Sequence, residues 1–207
     1  MRIPTLNRCM DLLREAEARN PGPWVQHSIN VAEAARLIGA RLDSIEPDAA
    51  YRLGLVHDIG RREGVTGMRH VYDGYRFMLE AGFPTAARIC LTHSFPVQDM
   101  HADSSRWDCS PAELDEIRAA LAGFVYDDYD RLLQLCDSIA VPEGFCLIEK
   151  RLLDVFMRHR NYDEYTIPKW QAYFDIKRSF EDRIGCSIYT LLPGIVTTTF
   201  DGQLPPS

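Results

Sequence analysis

Three things are scarce in this sequence: long apolar runs, paired cysteines and excess positive charge. No stretch approaches the roughly 18 uninterrupted apolar residues of a membrane span. The start, MRIPTLNRCMDLLREAE, carries charge where a signal peptide's apolar region would lie, so a cytoplasmic protein is expected. The six cysteines (Cys9, Cys90, Cys109, Cys136, Cys146, Cys186) contain no CxxC pair, which fits neither a zinc finger nor a dense disulfide framework. Cys90 and Cys136 lie in apolar stretches and read as reduced core thiols. A formal net charge of -7 repels phosphate backbones and anionic membranes, so the expected partner is a small molecule and not nucleic acid or a membrane.

Internal repeats and Gly/Ser/Pro-rich linkers are also missing, and strand-like alternation is nearly so. What remains is an ordinary globular composition, 46% hydrophobic and 26% charged, in 207 residues. A chain of that length buries roughly 70% of its unfolded surface around one core.

Apolar residues recur at helical spacing, and Pro and Gly punctuate them, which predicts an all-α bundle of about eight or nine helices. The breaks place helices over 5–19, 24–42, 47–60, 70–81 and from Pro84 through His93. Further helices follow over 111–122, 128–140, 145–158 and 168–185. Ser110-Pro111-Ala112-Glu113 reads as a capping box. Residues 94–110, SFPVQDMHADSSRWDCS, form a long polar loop that suits either a lid over a substrate or a plain surface connection. The tail after Leu192 could supply one short strand.

Asp137 lies in the apolar run RLLQLCDSIAV, and a buried carboxylate requires a positive partner. A lysine or arginine could serve. So could a metal, because His27, His57 and His93 fall on inward helix faces, and imidazole with carboxylate suits Zn, Mn or Fe.

The order His27, His57-Asp58, His70, His93, Asp137 resembles that of the HD superfamily of metal-dependent phosphohydrolases. The segments carrying the likeness are VQHSINVAEAARLIGARL, GLVHDIGRREG, MRHVYDGYRFML, ARICLTHSF and LLQLCDSIAV. The resemblance implies a single HD domain over 1–207, with its metal-ligand core in 24–141 and a helical extension over 145–207. It implies that His27, His57, Asp58 and Asp137 hold one ion, and that His70 and His93 hold a second beside it, with Asp58 bridging. Thr92-His93-Ser94 lacks the His-His pair of some relatives, which argues against a third ion. Two divalent or mixed-valent ions, Fe or Mn, would then activate a hydroxide to hydrolyse a phosphate ester or anhydride of a small molecule such as a nucleotide.

Asp58 and Arg61 are the catalytic candidates. Arg61 also serves as the substrate-binding candidate, since it stands where the family commonly has lysine and its planar fork suits phosphate oxygens. Arg61, Arg62, Arg69, Arg76 and Arg88 make a local basic excess in which roughly half read as ordinary solvated helix residues, and Arg61 alone is a strong candidate. His101 and Trp107 are read as surface or packing residues and His159 as structural. Ile167, Trp170 and Phe174 are assigned to core or dimer packing, which leaves room for a homodimer. The ligand order is also similar to that of helical hydrolases of symmetrical diadenosine tetraphosphate. A mixed-valent diiron oxygenase and a non-catalytic nucleotide sensor use the same ligands and stand as alternatives.

Overall fold

The computed structural model describes residues 1–102, 106–159 and 162–200, the side chain of His159 excepted. The expectation for His159 therefore lies outside the described residues. The fold is all-α. Ten α-helices are present among the described residues: α1 Leu6–Arg19, α2 Trp24–Gly39, α3 Pro47–Val56, α4 Arg69–Glu80, α5 Pro84–Thr92, α6 Pro111–Gly123, α7 Asp128–Ile139, α8 Ile148–His159, α9 Thr166–Ile184 and α10 Ile195–Thr199.

The helix ends follow local chemistry. Ser110 and Glu113 form the capping box of α6, Asp127 and Asp130 form another at α7, and Gly185 closes α9 in the left-handed region at φ 79°. Two expectations are corrected. The helix from Pro47 ends at Val56, so His57 caps it, and a 3₁₀ turn over Ile59–Glu63 follows Asp58. Gly60 is therefore no left-handed stop; the positive φ falls on Gly64, at 133°. The tail is helical at α10, and the short strands lie instead at the Pro142–Gly144 break, where β1 Ala140–Val141 pairs antiparallel with β2 Gly144–Phe145.

One apolar cluster runs from Cys9 in α1 to Ile195 in α10, and a smaller one joins Met68, Phe95, Met100 and Ile117. Cys90 and Cys136 are buried free thiols in the first cluster. Helices α2 and α3 approach so closely that a Cβ on Gly54 would lie 2.4 Å from the Cα of Ala32. The 3₁₀ turn after Asp58 is equally tight on α4: a Cβ on Gly60 would lie 2.0 Å from the His70 carbonyl oxygen. These two contacts need glycine because any side chain would meet backbone, and together they hold His27, the His57-Asp58 pair and His70 at one end of the bundle.

The loop over 94–110 braces α4. Arg106 O accepts from Met68 N at 2.9 Å, and the Asp108 carboxylate accepts from Gly67 N and Arg69 N at 2.8 and 2.9 Å. Burial would raise the Asp108 pKa, but these N–H donors outweigh it and hold it below the usual carboxylate value. Trp107 stacks on buried Phe95 with centroids 6.0 Å apart, and His101 is exposed.

Candidate metal centre

Each of the six sequence-designated residues sits at or near a helix end. His27 lies in the first turns of α2, His57 caps α3, His70 begins α4, His93 caps α5, and Asp137 lies in the last turn of α7. Asp58 occupies the junction between α3 and the 3₁₀ turn.

Three imidazoles are oriented by the same device. Nδ1 of His57 donates to Gly54 O at 2.8 Å, Nδ1 of His70 to Gly67 O at 2.6 Å, and Nδ1 of His93 to Ile89 O at 3.2 Å. Each bond satisfies a nearby carbonyl, places the ring proton on Nδ1 and leaves the Nε2 lone pair facing inward.

Those inward atoms converge on two carboxylates. Asp58 Oδ1 lies 3.3 Å from His70 Nε2 and 3.6 Å from His93 Nε2, and Oδ2 lies 4.0 Å from His57 Nε2. Asp137 Oδ1 accepts from His27 Nε2 at 2.9 Å and lies 3.8 Å from His57 Nε2. The donor atoms of His27, His57 and Asp58 lie within 4.8 Å of one another, as do those of Asp58, His70 and His93. Asp58 is thus common to two triads and presents a different oxygen to each side.

The chemistry of this donor set fits metal ions. His57 Nε2 and Asp58 Oδ1 are buried with no hydrogen-bond partner among the described residues. Orphaned polar atoms inside a protein are costly, and a cation at each triad would satisfy them, His57 Nε2 on one side and Asp58 Oδ1 on the other. Burial, foremost, holds the His57, His70 and His93 imidazoles below their ordinary pKa, His70 and His93 at about 4, so the rings are neutral ligands at pH 7. Burial would also raise the carboxyls, yet Asp58 is held well below its ordinary value by Arg61 and the surrounding histidines, and Asp137 by the hydrogen bond from His27.

Arg61 is bound into this group. Its Nε donates to Asp58 Oδ2 at 2.5 Å, and its terminal nitrogen lies 3.3 Å from His70 Nε2. The other arginines of the segment are engaged elsewhere: Arg69 with Glu113, Arg76 with Glu80 and Glu116, Arg88 with Asp127 and Asp130, and Arg62 over the Phe77 ring.

Supports from neighbouring helices fix the separation of the ligands. Gln134, one turn before Asp137, donates to the carbonyls of Thr92 and Phe95, which flank His93, at 3.0 and 3.1 Å. Thr92 in turn donates to Asp130 on the same face of α7 at 2.7 Å. Asn30 donates to Val141 O at 2.6 Å and ties the His27 helix to the turn beyond Asp137.

Five of the six, all but the fully enclosed His57, line a cavity of about 450 Å³. Ser94 and Ala102 are the contributions of the 94–110 loop among its described residues; His101 and Trp107 do not line it. Much of the remaining wall comes from α8 and α9, including Arg151, Phe156, Arg158, Lys169, Trp170 and Tyr173. The assignment of Trp170 to core or dimer packing is therefore incomplete, since this residue both packs against the core and lines the cavity. A signal was present in the sequence: Arg151, Val155 and Arg158 recur at helical spacing, so two cations share one face of α8.

A family model described as HD domain matches residues 24–141, more than half of the chain. The chain belongs to the HD-domain superfamily of metal-dependent phosphohydrolases. The matched HD segment ends at the turn after Asp137, so it contains all six candidate ligands and excludes α8 and α9. No curated protein and no solved structure matches the chain. No described helix is long and apolar enough to cross a membrane.

Proposed function

We propose that the protein is a dinuclear metal-dependent phosphohydrolase acting on a phosphate ester or anhydride of a small molecule. The observation that carries this reading is the shared Asp58, one carboxylate offering separate oxygens to two histidine groups while its Oδ1 and His57 Nε2 lack partners. His27, His57, Asp58 and Asp137 would hold one ion, and Asp58, His70 and His93 the other. The mixed imidazole and carboxylate set suits iron or manganese.

Bound there, a metal pair would lower the pKa of water toward neutrality and polarise phosphate oxygens. The chain's own part is orientation and charge. The three Nδ1 bonds keep the rings aimed without further reorganisation, and the low Asp58 and Asp137 pKa values keep both carboxylates anionic. Arg61 commits its Nε to Asp58 and leaves its terminal N–H groups as donors at the cavity wall. Were His70 Nε2 to ligate a metal it would cease to accept from Arg61, and that N–H would be available to an anionic substrate oxygen. Cationic Arg61, Arg151 and Arg158 on one cavity favour an anionic substrate, which supports hydrolysis of a phosphorylated molecule over oxidation of a neutral one.

The test is metal analysis of protein purified without chelator, followed by a phosphate-release screen over nucleotides and sugar phosphates. Release that is abolished by chelator and restored by manganese without oxygen supports the reading. Turnover only with iron and oxygen overturns it.

A further inference from the structure

The cavity wall joins the metal ligands and Arg61 to residues of α8 and α9 that the HD segment does not include. We infer that the α8 side of this cavity is a second anion subsite, in which Arg151 and Arg158 bind an acidic group of the substrate other than the scissile phosphate. The substrate class is thus a phosphate ester that carries a further phosphate or carboxylate across an apolar or aromatic body. The inference rests on the phosphohydrolase reading for what happens at the metal ligands.

Arg151 and Arg158 lie two turns apart on α8, with Val155 between them on the same face, and all three line the cavity. No carboxylate lies within ion-pair distance of either guanidinium among the described residues; the contact of Arg158 is from Nε to its own helix's Asp154 carbonyl at 3.4 Å. Arg158 is largely exposed; partial desolvation and then the nearby Arg151 charge pull its pKa below the ordinary value, with Asp154 opposing. The cavity-lining carboxylate Asp163 is engaged locally, accepting from Tyr165 N and Thr166 Oγ1 at 3.0 and 3.1 Å. Cations on a concave wall that form no direct ion pair among the described residues are matched by an anionic ligand group.

Aromatic and aliphatic side chains stand on the same wall as the arginines. Trp170 and Phe156 meet edge to face with centroids 6.0 Å apart, and both line the cavity beside Leu152. A volume of about 450 Å³ far exceeds that of one phosphate group and matches the range of pockets that enclose whole small molecules. Such a wall accepts the body of the substrate, and the arginine pair sets how far away its second charge must be.

The experiment compares metal-loaded full-length protein with Arg151→Ala/Arg158→Ala on two matched pairs of probes: phenyl phosphate against 4-carboxyphenyl phosphate, and adenosine 5′-phosphate against adenosine 3′,5′-bisphosphate. In the unsubstituted protein kcat/KM should favour the doubly anionic member of at least one pair about tenfold, the worth of one charge-assisted contact. The double variant should lose that preference, and Arg151→Lys/Arg158→Lys should keep most of it. In parallel, quenching of tryptophan fluorescence, to which Trp24 and Trp170 on the cavity wall contribute, reads binding of the same probes to chelated protein. Tighter binding of a doubly anionic probe that is lost in the alanine variant supports the subsite even if no probe is hydrolysed, in which case it is the phosphohydrolase reading that fails. Equal preference and equal binding in the two proteins overturn the subsite.

Discussion

Gly60 lies against His70 with no room for a side chain: a Cβ there would stand 2.0 Å from the His70 carbonyl oxygen and 2.4 Å from Gly74 N. The contact sets the spacing between Asp58 and His70, two residues that the chain separates by a turn and a loop. Gly60→Ala should therefore push the 3₁₀ turn off α4. The expected cost is about 1–3 kcal/mol of stability, as for other overpacked sites, with a disproportionate loss of the ion held by His70 and His93. Denaturant midpoint and metal content of the same preparation check it; unchanged values in both would show that the approach is slack.

Gln134 is a positioning residue. Its amide satisfies the buried carbonyls on either side of His93, so Gln134→Leu leaves Thr92 O and Phe95 O without that donor. Destabilisation of about 1–3 kcal/mol is expected, together with weaker metal affinity, and Gln134→Glu should not restore either because it removes the donor. Metal titration of the variant against the unsubstituted protein is the check.

Arg61 should separate binding of substrate from binding of metal. With Arg61→Ala, kcat/KM for phosphate release should fall about 10²-fold, the scale for losing a donor to developing charge, while metal content at saturating metal stays the same. Equal kcat/KM across the substrate panel would remove Arg61 from the chemistry.

Acid should destabilise the chelated protein over a defined window. Burial lowers His70 and His93 from 6.5 to about 4 in the folded chain. Between those values the unfolded chain binds protons that the folded chain refuses, so the histidine contribution to stability declines as pH falls from about 6.5 to about 4, below which the depressed carboxyls of Asp58 and Asp137 continue the decline. Urea midpoints measured from about pH 7.5 down to about pH 4 should show the decline beginning near the unfolded histidine value. A flat profile through that window would mean that the rings are already charged or solvated.

Much of this was legible in the sequence because helix ends are written in local chemistry. Ser110-Pro111-Ala112-Glu113 announces α6 by itself, and inward spacing on α2 and the apolar setting of Asp137 point to His27 and Asp137. The 3₁₀ turn after Asp58 was not legible, because Gly60 serves a close approach to α4 and not the left-handed conformation that a glycine after a helix usually suggests. Nor was the role of Trp170: periodicity reveals which face of a helix is covered, but the same pattern results whether the cover is core or the wall of a cavity. The Nδ1 bonds of His57, His70 and His93 depend on backbone carbonyls three or four residues back and leave no mark on residue identity at all.

The claim on which the rest depends is that Asp58 serves two ions at once. Elemental analysis of metal-loaded protein and of Asp58→Ala, with circular dichroism to confirm that both are folded, tests it most directly. Two ions per chain in the unsubstituted protein, with both weakened in Asp58→Ala and only one weakened in His93→Ala, is the predicted result. A single ion per chain, or a folded Asp58→Ala that keeps its full metal content, would contradict the shared-carboxylate centre.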